Sequence, residues 1–571
     1  MTPANCPDEC SPRRSAPPAV LRRSSPRIRV LLAAAGWPSG ILEVGSWAAR
    51  SGLADVVIFQ IGRGLAPASE PVAGGGPAPE NASDRIAGLV EKLVEFQPHV
   101  VGFRVEGEPF EPIQDWIGAV RRFSNAEIVL GGPTATSHPA GVLEWSGVDY
   151  VFAGEAEETF TQFLSLARKH HSRDCLPEIP GIAYRYGGRT CFNTLPADGY
   201  GRTVVEAGGG RPEVPIGCLR SAVRPAVSAD LLAANRLDWS LLEGFEQPLE
   251  SLYFTAGRGC PGECSFCGQL HGARVRVKPA SQLLEEIEAA DRCVAEGRLH
   301  VTRWKLFAHV EDPRWQARDA AWAAVYDEDF FLDRSRAVEF FELWDDSPLK
   351  DRYRLSFQTN PRSLLAGGAP CPELFGWIDR AKPMVQLGAE SFHPGLLARW
   401  RKRHDLEQLS AVLDALDATR QDYTVFQLLT DYESTAEELI EALRRLILAA
   451  LARPRMRIAS SPLAIPLYES DMRRELEFSG RLPGGRIVDW RDYERPHPEW
   501  MEPLAAELAD LADSHLDWAI NPETRDAALI ETMAAVVEHL ERASGGRFDA
   551  LLAQARSAAA EIAEARFPFR R

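Results

Sequence analysis

The 571 residues predict an α/β protein in three parts: a doubly wound, Rossmann-like domain, a partial (β/α)6 barrel and a mainly helical C-terminal cap. Three observations carry that expectation. Two series of short apolar runs alternate with amphipathic segments, as βα units around parallel sheets do. An irregular stretch with scattered Gly and Pro separates the series, and helical periodicity without strands follows residue 482. A chain this long exceeds what one hydrophobic core supports.

Residues 1–27 precede the first series and hold Arg13, Arg14, Arg22, Arg23 and several prolines without the apolar stretch of a secretory signal, so a disordered tail is expected. Cys6 and Cys10 lie four apart there, with no strand or helix to organise them for a metal. The first domain, 28–183, shows strands at 30–34, 56–61, 100–104, 128–130 and 150–152, with helical spacing over 86–96, 113–123 and 157–167. Residues 65–83, rich in Ala, Pro and Gly, are too long for a tight βα turn and predict a lid or surface insertion. The stretch 184–250, with Gly208, Gly209 and Gly210 in a row, is the expected linker.

The second series, 251–482, offers strands at 252–255, 322–326, 355–358, 385–387, 425–429 and 457–459. Helices at 280–295, 334–343, 406–416 and 436–451 repeat apolar residues every three or four positions. An insertion, 307–321, precedes the second of these strands. The cap, 483–571, contributes helices at 504–511 and 526–543.

Hydrophobic residues at 45% and charged residues at 25% are those of a soluble protein, and no run reaches the roughly 18 apolar residues of a membrane helix. A net charge of −17 opposes phosphate neutralisation, so neither nucleic acid nor membrane is an expected partner. Ten scattered cysteines do not make a disulfide scaffold; a reducing, cytoplasmic setting leaves their thiols able to bind metal.

The densest chemistry is Gly257-Arg258-Gly259-Cys260-Pro261-Gly262-Glu263-Cys264-Ser265-Phe266-Cys267-Gly268, directly after an apolar strand. Three thiolates converge within eight residues. Iron–sulfur clusters take thiolate ligands, and three cysteines on four irons leave one iron open to an external ligand. The alternative is zinc, with His271 completing a Cys3His tetrahedron, although zinc ligands usually come as two separated pairs. Elsewhere Tyr326, Asp329 and Asp431 stand at strand ends facing the barrel mouth, as candidates for proton removal or substrate orientation; each is equally read as structural. Gly131, Gly132 and Thr134 after the fourth strand, and Gly154 and Glu155 after the fifth, stand where open α/β sheets receive ligands, or simply form turns.

The cysteine loop resembles the signature of the radical S-adenosylmethionine (SAM) superfamily, CxxxCxxC with an aromatic residue before the last cysteine, here Phe266. That resemblance implies a 4Fe-4S cluster on Cys260, Cys264 and Cys267, SAM against Gln358, Asn360, Gln386 and Glu390, and a flavodoxin- or ferredoxin-type electron donor. With the domain upstream, residues 29–482 resemble the cobalamin-binding members of that family. The resemblance implies cobalamin on the first domain, with Val105 and Glu106 near the corrin's lower face, and methyl transfer to an unactivated carbon or phosphorus of a small metabolite or peptide. Members of the family also perform ring contraction, cyclisation or oxidation. One departure concerns the loop after the first strand, which reads Ala35-Gly36-Trp37-Pro38-Ser39-Gly40 rather than Asp-x-His-x-x-Gly; no histidine occurs before His99. The alternatives are a first domain that only packs against the barrel, a radical SAM enzyme without cobalamin, and a zinc-stabilised scaffold protein.

Overall fold

The computed structural model describes residues 27–34, 39–61, 82–105, 111–168 except 138 and 146, 176, 179–186, 189–194, 201–205, 226–268 except 246 and 247, 271–306, 310, 319–464, 470–481, 502–516, 524–543 and 548–565. The expected tail with Cys6 and Cys10, nearly all of the 65–83 insertion, Glu106, Gly208–Gly210 and most of 307–321 lie outside these residues.

The first domain opens with β1 (Ile28–Ala34), α1 (Ser39–Arg50), β2 (Ala54–Gln60), α2 (Ala82–Phe96), β3 (Val100–Arg104), α3 (Glu111–Phe123) and β4 (Glu127–Gly131). Two short helices, α4 (Pro133–Ser137) and α5 (Pro139–Leu143), precede β5 (Tyr150–Phe152) and α6 (Glu157–Arg168). The runs Val30–Leu32, Val56–Ile58 and Val100–Val101 are apolar on both faces because helices cover both sides of the parallel sheet. Strand order runs β5-β4-β3-β1-β2, so the direction of winding reverses between β1 and β3. A crevice opens there at the strands' C-terminal ends, where doubly wound sheets bind ligands.

Residues from 184 onward, expected to be irregular, instead extend this sheet. Three antiparallel strands, β6 (Ile182–Tyr186), β7 (Arg189–Thr194) and β8 (Gly201–Val205), continue it beyond β5. Arg185 and Arg189 hid the alternation that buries Tyr184, Cys191 and Phe192. After α7 (Ala229–Ala234), β9 (Leu242–Glu243) pairs with β2 at the opposite edge, and Glu243 pairs with Lys92 of α2.

The barrel begins with β10 (Ser251–Phe254), followed by a two-residue ladder of β11 (Gly257–Arg258) and β12 (Arg276–Val277), then α8 (Ala280–Ala295) and β13 (Ala321–Val325). Next come α9 (Arg334–Asp346), β14 (Tyr353–Thr359), the hairpin of β15 (Leu365–Ala366) and β16 (Ala369–Pro370), α10 (Pro372–Ala381) and β17 (Met384–Glu390). The last units are α11 (Pro394–Arg399), α12 (Leu406–Ala418), β18 (Tyr423–Thr430), α13 (Ala436–Leu451) and β19 (Met456–Leu463). Strands β10, β13, β14, β17, β18 and β19 are parallel and adjacent in chain order, the topology of an open (β/α)6 barrel. Outward residues such as Leu355, Val385 and Val425 meet the helices, and capping boxes at Asp405 and Thr435 begin α12 and α13 sharply.

Beyond α14 (Asp471–Phe478), the cap consists of α15 (Pro503–Leu516), α16 (Arg525–Ala543) and a third helix, α17 (Asp549–Ala565), which the sequence reading did not name. Leu508, Leu529, Met533, Leu540 and Leu552 of the cap join the core of the barrel's helical layer. That core also takes in one face of the first sheet, through Val30, Tyr150, Phe152 and Phe160. The two sheet-based halves therefore share a hydrophobic core.

Candidate functional site at the barrel mouth

The cysteine loop leaves β10 at the C-terminal end of the barrel, where side chains from several strands converge. Its entry is fixed by Asp327, whose Oδ1 accepts from Ala256 N and Gly257 N, both at 2.7 Å. Gly259 N donates to Glu328 at 3.1 Å, and Cys260 N to Gly272 O at 3.0 Å. Gly259 has φ +93°, and a Cβ there would lie 2.2 Å from Arg274 O, so only glycine closes this crossing.

A Cβ on Gly262 would lie 3.2 Å from Cys260 Sγ and 3.9 Å from Cys264 Sγ, which turns both sulfurs over bare backbone. Gly262 N donates to Cys260 Sγ at 3.3 Å. The three cysteines are half-buried and form no disulfide. Burial pushes the Cys260 thiol up to about 11 against the Gly262 amide, so a metal would have to displace its proton.

These donors suit a multi-iron cluster. Among the described residues, no three His, Cys, Asp or Glu side chains gather round one point as a single ion requires. His271, which would complete a Cys3His zinc site, has its Nδ1 2.9 Å from Glu155 of the other domain. A cluster instead takes thiolates spread around it, and the glycine backbone of this loop leaves room for one.

The loop's far side rests on the segment after α11. Ser265 N donates to Trp400 O at 3.1 Å, Met472 N to Ser265 O at 2.8 Å, and Phe266 meets Trp400 edge-on with centroids 6.0 Å apart. Asp431, expected to face the mouth, does not. It is buried; its carboxylate accepts from Trp400 Nε1 at 2.7 Å, Ser434 Oγ at 2.8 Å and Glu433 N at 3.0 Å, and forms an ion pair with Arg399 at 2.9 Å. With its oxygens engaged, it braces the wall behind Phe266.

Inside the barrel, Gln358 and Gln386 are register partners on β14 and β17, which puts them on the same half-buried face. Glu390 has φ +65° at a bulge, and its Oε1 lies 3.2 Å from the buried Lys402 ammonium. Asn360 caps the turn after β14 and donates to Asp329, which also accepts from Thr359 at 2.7 Å and Ser363 at 2.6 Å. Burial pushes Asp329 up to about 6, against these hydrogen bonds. Asp329 and Asn360 therefore bond each other beside the mouth instead of both facing it. Tyr326 is 56% exposed, edge-on to Tyr253 at 5.0 Å.

In the first domain, the loops after β3 and β4 are zipped together. Val105 N donates to Gly131 O at 2.8 Å and Thr134 N to Val105 O at 3.1 Å, while Gly132 has φ +104° and a Cβ there would meet Val105 O at 2.8 Å. The Val105 side chain, expected near a corrin, points into the domain core instead, because Leu31, Phe103 and Leu130 form an apolar layer there. Gly154 N bonds Thr136 Oγ1 at 2.9 Å, which closes the loop after β5 onto the one after β4.

Glu155, also expected at a cofactor, faces the barrel. It accepts from Arg276 at 2.7 and 2.8 Å and from Val227 N at 2.8 Å, and pairs with Arg258 at 3.1 Å. Burial works to raise its pKa, but His271, Arg258 and Arg276 outweigh burial and hold it well below the usual carboxylate range. Arg258 also bonds Glu157 at 2.6 Å and Glu43, and Lys278 lies 3.2 Å from Glu43. The sequence reading missed Arg258, Glu43, Glu157, Arg276, Lys278 and Lys402. The available signal was charge set among glycines and apolar residues.

Fold and site together define a class: a doubly wound ligand-binding domain whose C-terminal edge abuts a three-cysteine loop at the mouth of a (β/α)6 barrel. Residues 72–164 match the family model of the B12 binding domain. Comparison with curated proteins gives no match. Among solved structures, the chain is similar to the radical S-adenosylmethionine methyltransferase TsrM from Kitasatospora setae with cobalamin and [4Fe-4S] cluster bound, at TM-score 0.57 and 14% identity over 94% of this chain and 99% of that one. TsrM with tryptophan substrate and the SAM analogue aza-SAM matches at TM-score 0.55, 15% identity, 95% and 99%. The cobalamin-dependent S-adenosylmethionine radical enzyme OxsB with aqua-cobalamin matches at 0.57, 13%, 95% and 80%. The resemblance to cobalamin-binding radical SAM enzymes thus extends to the fold of nearly the whole chain.

Proposed function

We propose that this chain is a cobalamin-dependent radical SAM methyltransferase that modifies an unactivated carbon or phosphorus of a small metabolite or peptide, in natural-product biosynthesis. It works in the cytoplasm and takes electrons from a flavodoxin- or ferredoxin-type donor. The observation that carries the reading is the seam itself: Arg258, two residues before Cys260, forms an ion pair with the carboxylate next to Gly154, so the two loops that would hold the cofactors adjoin. The bound cofactors supply methyl carriage and a SAM-derived radical.

The chain's own residues hold and shield these groups. Cys260, Cys264 and Cys267 would hold the 4Fe-4S cluster, a three-thiolate set that would leave a place for SAM. Gln358, Gln386 and the Glu390–Lys402 pair offer amides and charge to its hydroxyls, carboxylate and ammonium. Gly131, Gly132, Thr134 and Gly154 lie at the C-terminal ends of β4 and β5, where a doubly wound sheet would receive the corrin. Among the described residues, no helix is long and apolar enough to cross a membrane. A second reading, the same cofactors used for cyclisation or oxidation, is kept because OxsB, named a radical enzyme and not a methyltransferase, matches at the same TM-score.

The test is anaerobic reconstitution with iron, sulfide and hydroxocobalamin, followed by desalting. Retention of about four irons and one corrin is expected, with Cys264→Ala losing iron but keeping corrin. Labelled SAM then separates methyl transfer from the second reading by whether label reaches the product. Zinc retained in place of iron overturns both.

A further inference from the structure

The cysteine loop is held at both of its ends by one buried set of charges. Arg258 precedes Cys260, Arg276 follows Cys267, and the two are register partners in the β11–β12 ladder. Both guanidinium groups are about as buried as core residues, and both reach Glu155. Arg258 continues to Glu43 of α1 and to Glu157, the first residue of α6; Lys278 ties Glu43 to Glu286 at 3.1 Å. Glu155 itself continues directly from Gly154, whose amide is tied to Thr136 beyond the Gly131–Gly132 turn. An unbroken path of bonds therefore runs from the glycine loops of the first domain to the first cysteine.

We propose that Glu155 is a positioning residue that couples the two cofactor sites, so that each holds its ligand more tightly when the other is loaded; this rests on the cofactor reading above. Buried ion pairs do not exchange partners with water, so a shift of the cysteine loop breaks them outright. A cluster on Cys260, Cys264 and Cys267 fixes that loop, hence Arg258 and Arg276, hence Glu155 and Gly154. The second ligand then meets a site already ordered and loses less conformational entropy on binding. Linkage makes the effect reciprocal, with coupling typically about 5- to 150-fold.

The dissociation constant of hydroxocobalamin is measured by absorbance on cluster-free and on iron- and sulfide-reconstituted full-length protein. Wild type is expected to bind at least about 5-fold more tightly when reconstituted. In Glu155→Gln this ratio falls to near one, while affinity in the cluster-free form changes little. Damage to the fold alone lowers both affinities together and leaves the ratio intact, which overturns the proposal. Arg276→Lys, which keeps the charge but cannot grip Glu155 with two bonds, gives an intermediate ratio and serves if Glu155→Gln does not fold. A wild-type ratio near one, with iron and corrin both retained, overturns the coupling and leaves the proposed function standing. No corrin binding in either form overturns both.

Discussion

At Asp329, burial and hydrogen bonding act against each other. Its carboxyl is 5% exposed, bonded by Thr359, Asn360 and Ser363, and raised to about 6 mainly by burial. A folded-state value above that of the unfolded chain means that the native protein binds the extra proton. The group's contribution to stability is therefore complete below the ordinary aspartate range and is lost as pH rises through about 6. A shift of this size corresponds to about 3 kcal/mol. Asp329→Asn should remove that loss, so the difference in melting temperature between variant and wild type grows in the variant's favour from pH 4 to pH 7. Difference infrared spectroscopy should find one fewer titrating carboxyl near pH 6; an unchanged titration would show that Asp329 does not titrate there.

Among the elements, the segment from α11 to β18 has two functions. It forms part of the barrel wall and also backs the cysteine loop, through Trp400 against Phe266 and the Trp400 carbonyl on Ser265. Asp431 holds Trp400 and Arg399 in place from behind. Asp431→Ala leaves a buried indole N–H without its acceptor and takes one of two carboxylate partners from Arg399, which keeps Glu438. A destabilisation of about 2 to 3 kcal/mol is expected in urea unfolding. Iron should also pass to a chelator faster from the reconstituted variant, because Phe266 loses its support. If stability falls with no change in iron release, the wall does not brace the loop.

Across the whole molecule, the halves are joined by a shared core and by the seam of Arg258, Arg276 and Lys278 with Glu43, Glu155 and Glu157. Glu43 holds two cations at once, so Glu43→Ala leaves both short of a partner in a dry place. A loss of about 3 to 5 kcal/mol is expected. Calorimetry should show one transition for wild type and two for the variant, as the first domain comes loose; a single unshifted transition would mean that the apolar core alone joins the halves.

Much of this was legible in the sequence because it is local. Strand runs, helical spacing and CxxxCxxC depend on residues a few positions apart, and they located β1–β5, all six barrel strands and the cysteine loop. The antiparallel strands at 182–205 escaped because arginines interrupt their short alternation. Val105, Glu155 and Asp431 were correctly placed at strand ends, but a strand end does not reveal which way a side chain turns. That direction is set by partners far along the chain: Glu43 meets Arg258 across 215 residues, and Glu155 meets Arg276 across 121. The sequence by itself determined the two βα series and the three-cysteine loop, since periodicity and spacing are short-range properties. Only the tertiary structure decided which charges are buried together and that the two loops adjoin, because such pairing exists only once the sheets have packed.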